Sequence, residues 1–301
     1  ARTDAAGFTI GNKGYICGGY NGKTTRLADT WEYDIDNDWW TQRADMPGTV
    51  RNAATGFPVG NKGYITTGYN PDQKYLADTW EYDPQTNTWR QMDDFKGGAR
   101  YYALGFGIDN YGYVGTGYND NYLKDFYRFD PTAAAGSQWT IVNGFGGQKR
   151  QGATAFVING KAYVCGGQNN NSDVSDFWRF DPSAATPWTQ LRDIANTSDD
   201  DYDDDYTSIV RSYGVSFVID GKAYLTLGST AGGSYYSNYW IYDPETDLWE
   251  GDDLTAFEGS TRIHAVCFST GTRGIIATGG SGSSSYFDDT WELKPYEYEE
   301  E

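Results

Sequence analysis

The sequence predicts an all-β chain, a ring of six small antiparallel sheets, and three observations carry that expectation. One stretch, CGGYNGKTTRLADTWEYD from Cys17 to Asp34, is restated five more times, from Thr66, Gly115, Cys165, Thr226 and Thr278. With Gly19 as a register mark, the equivalents Gly68, Gly117, Gly167, Gly228 and Gly280 follow at spacings of 49, 49, 50, 61 and 52 residues. An arginine opens every unit: Arg2, Arg51, Arg100, Arg150, Arg211 and Arg262. Each unit also holds four short apolar runs divided by turn residues, none with a helical period. Four such strands form a sheet that cannot bury both faces alone. Stacking the copies around one axis buries both faces and leaves only short edges.

The second unit shows the pattern in full. Its runs are AATGFPV, KGYITTG, DTWEYD and TWRQM, the last two carrying Trp80 and Trp89. Between them, Asp83-Pro84-Gln85-Thr86-Asn87 reads as a tight turn. An Arg-led strand, a strand ending in diglycine, and an aromatic-Asp-Pro turn followed by Trp resemble the kelch repeat. The diglycine is complete at Gly18-Gly19, Gly166-Gly167 and Gly279-Gly280, with Thr or Leu in first place elsewhere. The resemblance covers nearly the whole chain. It implies a six-bladed kelch β-propeller of four-stranded antiparallel blades, with the fold of the galactose-oxidase relatives.

In chain order, one domain over 1–301 divides into blades at roughly 2–48, 51–97, 100–147, 150–195, 211–256 and 262–301. Blade one contains Asp34, Asp36 and Asp38 at the alternation of a calcium loop. Trp39 sits where such a loop needs glycine, so a solvated turn is expected. An acidic insertion, 195–210, follows blade four; its six Asp around Tyr202 predict an exposed, mobile loop without metal, centred on 198–206. Blade five has a long Ser/Gly/Tyr-rich loop, Ser229 to Ser237, and blade six brings the single histidine, His264, expected to be structural. Pro295 to Glu299 alternates aromatic and acid, as an outer edge strand does, and is expected to complete blade six.

Composition narrows the function classes. Aromatics at 17% suit sheets packed face to face. A net charge of −19 argues against nucleic acid and anionic membranes as partners. No apolar run is long enough to span a membrane. Three cysteines, Cys17, Cys165 and Cys267, cannot form a disulfide framework and are expected as buried small side chains. The first residues, ARTDAAGF, already sit in the repeat register, which suggests a mature or trimmed chain. The acidic, Asn- and Tyr-rich composition points to a secreted, periplasmic or cell-surface monomer similar to secreted bacterial kelch proteins.

Strand alternation puts the six arginines at one end of the axis, beside the loops opened by Tyr20-Asn21, Tyr69-Asn70, Tyr118-Asn119 and Gln168-Asn169. The expected ligand site there comprises Arg51, Arg100, Arg150, Arg211 and Arg262 with Tyr69, Tyr101, Tyr102 and Tyr213. Asp29, Asp78, Asp125, Asp176 and Asp289 recur on the same face, so pairing within the repeat is the competing use of those guanidiniums. The copper chemistry of the galactose-oxidase relatives needs two histidines and is excluded by the single His264. No nucleophile elbow, P-loop or zinc spacing appears, and no metal or cofactor is expected. The reading is a non-enzymatic propeller binding a carbohydrate or an acidic peptide or protein. A sugar-modifying enzyme of the sialic acid mutarotase type and a protein-interaction adaptor are the alternatives.

Overall fold

The computed structural model describes residues 1–23, 25–251 and 254–295. Its strands form six antiparallel blades around one axis, and the only helix among the described residues is a 3-10 turn, Asp201–Asp203. The innermost strands are Ala6–Ile10, Thr55–Val59, Leu104–Ile108, Thr154–Ile158, Val215–Ile219 and Val266–Ser269. Each packs on the next, and the last packs on the first. Blades one to five have four strands in sequence order outward; in blade six the described strands are Val266–Ser269, Gly274–Ala277 and Thr290–Leu293. The expected completion of blade six by Pro295 to Glu299 lies almost wholly outside the described residues.

The core repeats with the sequence. Every innermost strand carries a phenylalanine at its centre: Phe8, Phe57, Phe106, Phe156, Phe217 and Phe268, all buried. Opposite five of them on the second strand stand Tyr15, Tyr64, Tyr113, Tyr163 and Tyr224, each stacked on its Phe at 5.1 to 6.1 Å. Neighbouring blades close on these rings because the facing position is small. A Cβ at Gly63 would lie 2.0 Å from the Phe8 ring, and one at Gly112 would lie 2.2 Å from Phe57. Each ring of such a pair buries a large apolar area.

The arginines hold the innermost strands to the rest of each blade. Arg51 is 1% exposed; its Nη1 and Nη2 donate to Asp78 at 2.7 and 2.6 Å, while Nη1 and Nε reach the carbonyls of Thr67 and Thr49. Arg2, Arg100, Arg150 and Arg262 repeat the clamp with Asp29, Asp125, Asp176 and Asp289. In all six blades the same nitrogen also donates to the residue preceding the register glycine: Gly18, Thr67, Thr116, Gly166, Leu227 and Thr278. These six residues all have φ between 58° and 70°, a left-handed turn that only two of them fill with glycine. In blade six the glycine whose N–H continues the ring is Gly279, donating to Arg2, so the register mark moves there from Gly280.

Blade five departs from the pattern, and the acidic insertion explains how. Arg211 meets Asn238 where the others meet Asp, and burial pulls its guanidinium down to about 10. Ser208, from the insertion, accepts from Arg211 through its carbonyl and from Asn238 and Trp240 through its hydroxyl. The expectation that the insertion buries nothing is corrected. Tyr206 and Ile209 sit in the core between blades four and five, and Asp203 is buried, accepting from Thr197, Ser198 and the Ser198 hydroxyl. Burial works to raise the Asp203 pKa, but those bonds together hold it below the usual carboxylate range. At Asp34 the expected turn forms, its carboxylate accepting the N–H groups of Asp36 and Asn37. Cys17 and Cys165 are buried and free, Cys267 is half-buried, and burial pushes all three thiols up, to about 12, 12 and 11.

Removing one partner of such a clamp leaves a buried charge uncompensated. Arg51→Ala and Asp78→Ala should each lower unfolding free energy by about 3–5 kcal/mol in urea titrations. Asn238→Asp should raise it by about 1 kcal/mol, because a carboxylate is the stronger acceptor for Arg211. An unchanged or lower midpoint would show that the neutral partners already satisfy Arg211.

Candidate functional site

Two residues after each repeat arginine the chain again turns left-handed: Asp4, Ala53, Tyr102, Gly152, Tyr213 and His264 have φ from 51° to 64°. Five of the six are not glycine, a conformation that disfavours L side chains. What holds it is a closed circle of backbone hydrogen bonds about the axis. Each N–H donates to the equivalent carbonyl of the preceding blade: Ala53 to Asp4, Tyr102 to Ala53, Gly152 to Tyr102, Tyr213 to Gly152, His264 to Tyr213 and Asp4 to His264. These residues and the small ones that follow them line an axial depression of about 130 Å³.

The side chains at the six points are far from symmetric. Ala53 leaves room for Tyr102, which donates its hydroxyl to Asp4 at 2.7 Å. Gly152 leaves room for Tyr213, whose ring a Cβ there would strike at 2.4 Å. The Tyr213 hydroxyl accepts from both Gln151 and Gln168 at 2.7 Å. His264 sets Nδ1 2.9 Å from Asp4, stacks on Tyr102 at 5.0 Å and meets Tyr213 at 4.3 Å. Burial works to raise the Asp4 pKa, but His264, Tyr102 and Arg26 outweigh it and hold the carboxyl below its ordinary range. Burial also pushes the Tyr102 and Tyr213 hydroxyls well above the ordinary tyrosine value, so both are neutral donors and acceptors.

Of the residues singled out in the sequence, Tyr102 and Tyr213 line the depression, Tyr101 meets Tyr102 at 4.8 Å, and Tyr69 lies 5.7 Å from Tyr101. The arginines do not join them. Arg51, Arg100, Arg150, Arg211 and Arg262 are at most 1% exposed, with their donors turned into the blades. The expected guanidinium ring is therefore a set of internal clamps, because side-chain oxygens, carboxylate in all but blade five, and backbone carbonyls satisfy a buried cation better than an open mouth. Sequence reasoning missed Asp4, His264 and Arg26. The signal was present: the position two after each arginine differs in almost every copy while its surroundings repeat. Arg26 stands where other copies carry Tyr75, Tyr122, Tyr235 and Tyr286, with Asp173 in blade four. Its guanidinium lies 4.3 Å over the Tyr20 ring, donates to Asn52 at 2.5 Å, and has no carboxylate at ion-pair distance among the described residues.

The model described as the KLHDC2/KLHL20/DRC7 Kelch-repeats domain matches residues 1–147, and the Kelch motif model matches 149–191. Curated relatives called N-acetylneuraminate epimerase, from Yersinia pestis (strain Pestoides F) and Yersinia pseudotuberculosis serotype O:1b (strain IP 31758), are 29% identical over 45% of this chain. The match spans 41% of the length of those relatives. Among solved structures, "Structure of YjhT" superposes with a TM-score of 0.77 at 15% identity, covering 96% of this chain and 93% of that one. At that identity the likeness concerns the fold.

The depressed Asp4 pKa carries a sign. Its stabilising contribution is full above the unfolded carboxylate value of about 4 and is lost as pH falls through the lower folded value. Asp4→Asn should be less stable than wild type by about 1.5–3 kcal/mol at pH 7. That gap should shrink as pH is lowered from about 4 towards 2 in thermal melts. A gap independent of pH would show that the Asp4 charge does nothing for the mouth.

Proposed function

The chain is a kelch-repeat β-propeller, and on that premise we propose that it binds a carbohydrate at the axial mouth. The observation that carries this reading is the pairing of aromatic faces with fixed polar groups in one depression: Tyr102, Tyr213 and His264 beside Asp4, with the Tyr213 hydroxyl held by Gln151 and Gln168. Sugars present apolar C–H faces and outward hydroxyls, and this combination meets both. An acidic peptide is the poorer fit, since the repeat arginines are spent inside the blades. Arg26, with no carboxylate at ion-pair distance among the described residues, leaves a place for one carboxylate on a sugar.

A second reading is favoured by the contact between Asp4 and His264. A carboxylate that fixes Nδ1 leaves Nε2 to meet a ligand, the arrangement an acid–base histidine uses. With Tyr102 on the same carboxylate, the trio could move a proton on and off a sugar hydroxyl during ring opening. The name of the curated relatives, N-acetylneuraminate epimerase, supplies the first compound to try.

An immobilised saccharide panel, including N-acetylneuraminate, should retain wild type and lose Tyr213→Ala by roughly tenfold or more, the scale of a lost aromatic contact with its hydrogen bonds. Absence of binding to every saccharide would overturn the carbohydrate reading. Anomer exchange of N-acetylneuraminate, followed by NMR, separates the two readings. Acceleration by wild type that His264→Asn abolishes makes the protein an enzyme; binding without acceleration leaves it a binder.

A further inference from the structure

At one position around the mouth, the residue after the register glycine, tyrosine is confined to one arc. The position after the register glycine is Tyr20, Tyr69 and Tyr118 in blades one to three, but Gln168, Ser229 and Gly280 in blades four to six. The backbone there does the same thing in every blade, bridging to the residue beside the repeat arginine: Thr3 with Tyr20, Asn52 with Tyr69, Gln151 with Gln168, Ser212 with Ser229. Glutamine, serine and glycine support that pairing as well as tyrosine does, so the fold does not ask for three tyrosines. Something other than the fold accounts for them.

The arc is continuous. Arg26 lies over Tyr20 and reaches Tyr69 at 5.7 Å. Tyr69 meets Tyr101 at 5.7 Å, and Tyr75 stacks on Tyr101 at 5.6 Å with ring planes 7° apart. Tyr101 then meets Tyr118 at 5.8 Å. All these tyrosines are half-buried, with the Tyr75 hydroxyl anchored on Asp120. The inner end of the arc joins the axial depression directly, because Tyr101 and Tyr102 are adjacent and their rings lie 4.8 Å apart. The depression holds about 130 Å³, room for little more than part of one sugar ring.

We propose that the site takes a saccharide of more than one ring, with one end in the axial depression and the next rings laid over the tyrosine arc of blades one to three. The proposal rests on the carbohydrate reading above and adds to it a direction, off the axis over blades one to three and away from four and five. Arg26, over Tyr20 and beside Tyr69 on the arc, suits a carboxylate on the bound saccharide.

The test uses the full chain on immobilised neutral and carboxylated saccharides of one to six rings, beside a panel of immobilised peptides. Longer members should bind wild type more tightly than one-ring members. Tyr75→Ala and Tyr118→Ala should weaken the longer ones about five- to tenfold and leave one-ring binding unchanged. The same substitutions on the outer side of the mouth in blade five, Ser229→Ala and Thr230→Ala, serve as controls and should change neither. Equal binding of one-ring and longer members, or indifference to the arc variants, overturns the arc while the carbohydrate site stands. Binding only to peptides, or to nothing, overturns both.

Discussion

Everything in this propeller hangs on a guanidinium that donates two ways. One side of each repeat arginine is held at the head of the third strand, by a carboxylate in five blades and by the Asn238 amide in blade five, the other by the carbonyl of a left-handed turn that ends the second. A buried cation without such partners is costly, so the clamp forces the turn as much as the turn shapes the clamp. That explains how Thr67, Thr116, Leu227 and Thr278 hold a backbone conformation suited to glycine. The next glycine then reaches the carbonyl of the following arginine, and the blades are tied into a closed circle from Gly19 round to Gly279. Blade geometry and ring closure are two results of one residue.

The fold was legible because its determinants are repeated. Six arginines, six central phenylalanines and their turns occur at near-constant spacing, and repetition separates them from chance. The site was legible only in part for the same reason. A function carried by what differs between copies looks like noise when the eye follows what recurs. Tyr102 and Tyr213 stood out as aromatic; Asp4 and His264 occupy the same point of the frame but belong to different chemical classes. The arginines misled because a ring of cations at a channel mouth suggests a ligand, and only three dimensions show where each head group turns. The Gly280 register slipped because two glycines follow Thr278, and pairing across the ring, rather than spacing, decides between them.

The acidic insertion shows the limit of charge as a guide. Six aspartates argue for solvent, yet Tyr206 and Ile209 in the same stretch fill a core, and Ser208 makes good the missing carboxylate of blade five. Composition describes the average of a segment, whereas burial is decided side chain by side chain. Asp203 resolves the conflict locally: two backbone N–H groups and a hydroxyl take the place of water around its charge.

The inner circle of hydrogen bonds is made by main-chain atoms alone. Its members are an acid, an alanine, two tyrosines, a glycine and a histidine, and the circle closes through all of them. A scaffold closed by main-chain atoms lets the set of side chains at the mouth be exchanged, as a lock is re-pinned, while the barrel that holds the pins keeps its shape. Six points facing one small volume form a compact vocabulary whose letters are read together: Gly152 is spelled with Tyr213, and Asp4 with Tyr102 and His264.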